Sequence, residues 1–284
     1  MTPLRKQMIE AMQVRGFSPR THASYLGAVA DLAGYYHCSP ARLTPGQVEG
    51  WMRHLAIDRG LSGATCRLYL NGVRFVYLQV LGWARFDVPI PLPKRAQRIP
   101  ELLTRAEVGR ILGASGNGKQ RMLLSLCYGC GLRVSELVAV RVRHIDAERC
   151  LLRIEQGKGA KDRLVSLGAR LLEQLRGYWR LYRPAEWLFP NPYHPQQPLA
   201  VSSAQKAFQQ AKARAGIEKV GGIHSLRHAY ATHQLAAGLP LPALQQQLGH
   251  QDLRSTLRYL HWVPGYREGE GARDLLAALE AGDA

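Results

Sequence analysis

The chain has 284 residues, 46% hydrophobic and 21% charged, the make-up of a globular protein with room for one large domain or two ordinary ones. Its 38 Lys and Arg against 21 Asp and Glu leave a net charge of +17, spread along the sequence; that points to a polyanion, above all nucleic acid, and away from a membrane-surface tail. No run is apolar enough to span a bilayer, the start MTPLRKQMIEAMQ lacks a signal-peptide centre, and five cysteines make no disulfide framework, so a cytoplasmic, nucleoid-associated protein is expected.

Residues 1–86 read as a bundle of about four helices. After the opening segment, Ser18 caps a helix with Pro19 at its first position, and Leu26, Val29, Leu32 and Ala33 follow at helical spacing. Thr44 and Pro45 repeat the device in a helix closed by Gly60. A third capped segment runs from Ser62 to Gly82. Residues 87–100 are different. Pro89, Pro91 and Pro93 forbid a helix and favour an extended strap, and Lys94, Arg95 and Arg98 make that strap a basic linker suited to phosphate.

Residues 101–284 read as a second, mostly helical domain with one small antiparallel sheet. Thr104 starts a helix. The stretch GASGNGK that follows has P-loop spacing but no Ser or Thr after its lysine, and a helix precedes it where a P-loop needs a strand, so it reads as a turn. Cys127 and Cys130 in CYGC end an apolar helix without a second pair, which fits buried thiols better than zinc. GLRVSEL then begins a helix at Arg133, where free N–H groups favour an anion. CLLRIEQGKGAKDRLVSL has β character on both sides of a Gly-Lys turn, a hairpin that exposes Lys158. Helices resume from residue 169.

In HSLRHAYATH, His224 and His228 stand four apart as in a zinc-binding HExxH helix. Ser225 occupies the glutamate position, however, and the permanent charge of Arg227 would repel a cation. His224 and Arg227, at i and i+3, instead make a phosphate clamp, with Arg227 as the bidentate fork. His233 falls with Leu226, Tyr230 and Ala237 and reads as a core histidine. His250 follows the helix-ending Gly249. In DLRSTLRYLHW, Leu253, Leu257 and Leu260 form the apolar stripe, leaving Tyr259 off it as a candidate nucleophile. Taken singly, each has a plainer reading: a surface ion pair for Arg133, a solvated turn for Lys158, a cap for His250, a half-buried ring for Tyr259.

Together, GLRVSEL, GKGAKDR, HSLRHAYAT, LGH and a tyrosine nine residues after that last histidine resemble the tyrosine recombinase, or phage integrase, family, in order and in spacing. The resemblance covers the whole second domain, and residues 1–86 resemble the family's SAM-like core-binding domain. It implies a mainly α, two-domain fold with an α+β catalytic domain. It implies Arg133, Lys158 (with Lys161 as the second choice), His224, Arg227 and His250 as catalytic residues and Tyr259 as nucleophile. Size and the lack of an extra arm-binding domain resemble the Xer-type and integron-like members, although the segment typical of integron integrases is not evident.

The resemblance further implies site-specific recombination through a 3′-phosphotyrosyl intermediate and a Holliday junction, with no cofactor, metal or ATP. Arg133 and Arg227 would neutralise the pentacoordinate phosphate, supported by His250; Lys158 would protonate the 5′-oxygen, and His224 would help take the tyrosine proton. The partner is double-stranded DNA carrying specific sites, gripped by two domains. Lys94, Arg95, Arg98, Lys161 and Arg163 are candidate DNA contacts. The assembly would be a homo-tetramer, or a hetero-tetramer with a second recombinase, and the amphipathic tail GARDLLAALEAGDA would dock on a neighbour. The rival readings are a DNA-binding accessory protein without catalysis and a type IB topoisomerase-like enzyme.

Overall fold

The structure, a computed structural model, describes residues 1–86, 101–155 and 162–263. Lys94, Arg95 and Arg98 of the strap, Lys158 and Lys161 of the hairpin turn, and the tail GARDLLAALEAGDA lie outside the described residues. The chain divides into two compact units, Met1–Arg98 and Ile99–Ala284.

Among its described residues the first unit has four α-helices, α1 (Pro3–Val14), α2 (Pro19–Tyr36), α3 (Pro45–Ile57) and α4 (Gly63–Gln79). Their starts are set by caps written in the sequence. The Ser18 hydroxyl accepts from the Thr21 N–H at 3.2 Å, Ser62 does the same for Thr65, and Thr44 and Gln47 form a reciprocal capping box. Two helices stop short of their expected glycines: α3 ends at Ile57 and α4 at Gln79, while Gly60 and Gly82 turn the chain beyond them with positive φ. Met8, Met12, Leu32, Trp51, Leu55, Val73 and Val76 are buried between the four helices. The absent side chain at Gly72 lets α2 and α4 approach, for a Cβ there would lie 3.0 Å from the Tyr25 Cα.

The second unit opens with α5 (Arg105–Gly113), capped by Thr104 and Glu107, then α6 (Gly118–Cys130) and the short α7 (Val134–Val138). GASGNGK is the turn between α5 and α6, where the Asn117 side chain caps α6 by accepting from the Gln120 N–H at 2.9 Å. A three-stranded antiparallel sheet follows, β1 (Ile145–Asp146), β2 (Leu151–Ile154) and β3 (Arg163–Ser166), in that order. β2 and β3 are the arms of the expected hairpin, with Leu151 opposite Ser166 and Ile154 opposite Arg163. β1, only two residues long, carries too little alternation to be legible beforehand.

Five helices complete the unit: α8 (Ala169–Tyr182), α9 (Val201–Arg214), α10 (His224–Ala236), α11 (Leu241–Leu248) and α12 (Arg254–Leu260). α6 and α10 form the centre of the core, with Leu123, Leu126, Leu226, Ala229 and Tyr230 buried against Leu152, Val165 and Phe208. No helix among the described residues is long and apolar enough to cross a membrane.

α12 corrects one expectation. Leu253 lies before the helix and is 42% exposed, whereas Thr256 and Tyr259 are 0% and 4% exposed. The inward face of this short helix is therefore set by Thr256 and Tyr259, three residues apart, and not by the leucines. Polar partners explain the choice, because both side chains find hydrogen bonds inside, on His250 and His228.

Candidate active site

The site is built where two helices end in glycine. α6 closes at Gly131 and α11 at Gly249, both in the left-handed conformation, with φ of +59° and +62°. Helix C-termini present unpaired carbonyls and the negative end of the helix dipole, and both ends here receive guanidinium groups. Arg227, on the first turn of α10, donates to the Gly131 carbonyl and to the Leu248 carbonyl at 2.7 Å each. Arg133, immediately before α7, donates to the Gly249 carbonyl at 3.2 Å. The fold thus brings two arginines 94 residues apart in sequence to one place, using carbonyls that would otherwise need water.

Both arginines share a carboxylate that the sequence reading did not single out. Glu136 accepts from the Arg133 side chain at 2.7 Å and from the Arg133 backbone N–H at 2.9 Å, and lies 3.8 Å from Arg227. The signal was present: Glu136 stands three residues after Arg133, the residue just before α7, which is the position that closes a capping box. Its N–H bond also means that Arg133 does not offer that backbone group to an anion, as had been expected. Burial alone would raise the Glu136 pKa, but Arg163, followed by Arg133, brings it down to about 2.

Arg163 is placed differently from the expectation of a DNA contact. It points inward from β3, donates to both Glu136 oxygens at 2.8 Å through its two Nη groups, and gives its Nε–H to the Gln247 carbonyl at 3.0 Å. Bidentate pairing of this kind fixes the orientation of the guanidinium. Gln247 also bonds Ser166, so α11 is stitched to the sheet at the same point. Three guanidinium groups now face one carboxylate, and the cluster keeps a surplus of positive charge.

His250 and Tyr259 complete the cluster. The His250 Nε2 lies 3.0 Å from an Arg227 nitrogen, and its Nδ1 lies 2.8 Å from the Thr256 hydroxyl. Arginine only donates, so Nε2 must be the acceptor and Nδ1 must carry the proton that goes to Thr256. Burial and then the Arg227 charge push the His250 pKa down to about 3, which keeps this neutral tautomer. The Tyr259 ring lies parallel to His250, within 4°, at a centroid distance of 6.2 Å. Burial raises the Tyr259 pKa, while the charges of Arg227, Arg258 and Arg133 pull it back.

His228 stands at hydrogen-bond distance from the Tyr259 hydroxyl, with Nδ1 at 3.0 Å. This supplies the partner that the sequence left unnamed. His224 is exposed at the helix start, its ring edge-on to His228 at 4.6 Å. Partial loss of water, then Arg227 and Arg133, lowers its pKa. Arg133, Arg227, His250 and Tyr259 are therefore gathered in one place with His224 at their side, joined by Glu136, Arg163, Thr256 and His228.

The motifs set aside in the sequence remain outside this cluster. Cys127 and Cys130 are buried free thiols, their pKa raised by burial. His233 shares a hydrogen bond with the Tyr128 hydroxyl at 2.9 Å, as befits a satisfied core histidine. Among the described residues no group of three His, Cys, Asp or Glu side chains is placed to hold a metal ion.

Comparison with known proteins bears on the chain as a whole. The pattern of the Phage integrase family matches residues 100–264, and that of the phage integrase N-terminal SAM-like domain matches residues 4–84. A tyrosine recombinase of Pseudothermotoga lettingae is 37% identical over 264 residues, covering 89% of this chain and 91% of its own. Tyrosine recombinase XerD of Pseudomonas putida is 31% identical, covering 91% and 92%. Among solved structures, a lambda integrase dimer bound to a COC′ core site shares the fold with a TM-score of 0.73 at 18% identity, over 89% of this chain and 95% of the other. XerH recombinase bound to its difH substrate does so with a TM-score of 0.68 at 21% identity, over 90% and 81%. The chain belongs to the phage integrase family of tyrosine recombinases.

Proposed function

We propose that the protein is a site-specific DNA recombinase that cuts and rejoins strands through a covalent bond between Tyr259 and a 3′-phosphate. The observation that carries this reading is a buried tyrosine hydroxyl beside a cluster in which Arg133, Arg163 and Arg227 outnumber the one carboxylate, Glu136. Such a cluster attracts an anion, and the tyrosine beside it is a nucleophile.

The Tyr259 oxygen attacks the scissile phosphorus, a P–O bond to tyrosine forms, and the bond to the 5′-oxygen breaks. The ester energy is kept in the phosphotyrosyl link, so rejoining needs neither ATP nor metal. Arg133 and Arg227 turn their guanidinium groups from helix carbonyls toward the phosphate oxygens, where charge builds in the transition state. His250 supports one of those oxygens once a proton reaches its Nε2. Lys158 protonates the departing 5′-oxygen. The proton leaving Tyr259 needs an acceptor, since a free tyrosine has a pKa near about 10. The reading extends to four protomers on two DNA sites, passing through a Holliday junction.

The test begins with duplexes selected by the protein from a randomised pool. Nicked suicide duplexes built on those sequences should give a detergent-resistant protein–DNA adduct in the presence of a chelator. Tyr259→Phe should bind the same DNA and give no adduct. An adduct that persists in that variant removes Tyr259 from the mechanism. Relaxation of supercoiled plasmid without joining of two sites would favour the topoisomerase-like reading instead.

A further inference from the structure

The tyrosine hydroxyl has a partner to which none of the roles above is given. His228 lies one position past Arg227, and its Nδ1 is 3.0 Å from the Tyr259 oxygen. The contact is boxed in. The Trp262 ring stands nearly perpendicular to both, at 5.8 Å from His228 and 5.2 Å from Tyr259, and Tyr259 itself is 4% exposed. The residue is thereby largely shielded from bulk solvent, and His228 is the neutral acceptor set against its hydroxyl. His224 stands beside this pair, its ring roughly perpendicular to that of His228 at a centroid distance of 4.6 Å.

Resting on the recombinase reading, we infer that His228 is the group that takes the proton from Tyr259 as its oxygen attacks the phosphate. In that step the O–H bond of Tyr259 breaks, its proton goes to the lone pair of His228 Nδ1, and the oxygen forms its bond to phosphorus while the 5′-oxygen leaves with a proton from Lys158. In rejoining, the 5′-hydroxyl gives its proton back to the neutral Lys158 as its oxygen bonds to phosphorus, the P–O bond to Tyr259 breaks, and the imidazolium of His228 returns the proton to the tyrosine oxygen. The balance is closed within the active site and needs no co-reactant.

The surroundings fit an acceptor. The charged and titratable groups that face His228 are His224 and Arg227 from α10, and Arg258 and Tyr259 from α12. Burial, then His224, Arg227 and Arg258, lower its pKa to about 4, so the ring is neutral and its acceptor lone pair is present throughout the neutral range. The Arg227 charge also faces the phenol oxygen. A guanidinium there draws the oxygen lone pairs to itself and leaves the proton directed at Nδ1. Two of the charges that weaken His228 as a base, Arg227 and Arg258, are compensated when a phosphate arrives, so its basicity rises on binding DNA.

The test is single-turnover adduct formation on the nicked suicide duplex between pH 6.5 and 9.5, for wild type, His228→Ala and His228→Gln, with DNA binding checked by gel shift. Glutamine can accept the phenol hydrogen bond and cannot carry the proton away. Both variants should lose roughly 10²-fold or more in rate near pH 7. That deficit should shrink steadily toward pH 9.5, as Tyr259 ionises without help. A duplex with a 5′-bridging sulfur, whose leaving group needs no proton, should leave the deficit in place. A deficit that stays constant with pH, full activity of His228→Gln, or rescue by the bridging sulfur would overturn the inference alone. Absence of any wild-type adduct would overturn the recombinase reading and the inference with it.

Discussion

Replacing Glu136 by glutamine tests how the arginine cluster is held. The isostere keeps the shape and one acceptor oxygen but removes the charge, and it turns an NH₂ group toward guanidinium donors. The Glu136 side chain is 5% exposed, and those of Arg163 and Arg227 are 10% and 1% exposed, so solvent does little to screen the loss. Breaking a buried ion pair by removing one partner costs about 3–5 kcal/mol. The pKa gives an independent figure: a fall from 4.5 to about 2 on folding corresponds to about 3 kcal/mol at neutral pH. The sign follows from a depressed carboxylate. The stabilisation is complete above the unfolded value near 4.5 and is lost as pH falls toward about 2. Urea denaturation followed by circular dichroism should therefore show the variant about 3 kcal/mol less stable at pH 7, with the difference closing between pH 4.5 and 2. A loss below about 1 kcal/mol at pH 7 would refute the argument, since the net value would then be that of an exposed pair. So would a variant that keeps the wild-type slope with acid.

Two other substitutions probe the supports of the site. Thr256→Val removes the acceptor for the His250 Nδ1 proton inside a buried contact and should cost about 1–3 kcal/mol. Thermal denaturation reads that loss, and adduct formation should slow while gel-shift affinity is kept. Gly249→Ala forces a side chain into a backbone at φ +62° and places its Cβ 2.8 Å from the Arg163 Cδ. The backbone alone costs about 1–2 kcal/mol. Calorimetry should record a lower melting temperature, and an unchanged one would mean that the α11 end is not held as described.

What could be read beforehand depended on how local the signal was. Ser18, Thr44, Ser62 and Thr104 cap their helices through bonds three residues away, and α8 begins at residue 169, where helices were expected to resume. The meeting of β2 and β3 was likewise written in one short hairpin. The site was legible only as a set of motifs in order. Its internal connections were not, because they join residues far apart. Arg163 reaches Glu136 across 27 positions and His228 reaches Tyr259 across 31. Arg163 was offered as a DNA contact, whereas a carboxylate elsewhere in the chain draws it inward. Leucine spacing alone mis-set the inner face of α12, where two hydrogen bonds decide which side is buried.

The most direct measurement is the identity of the residue that holds DNA. The trapped adduct should be digested with nuclease and protease and the nucleotide-bearing peptide sequenced by mass spectrometry. The account predicts a 3′-phosphate nucleotide on Tyr259. A nucleotide on any other residue, or one attached through a 5′-phosphate, would contradict it.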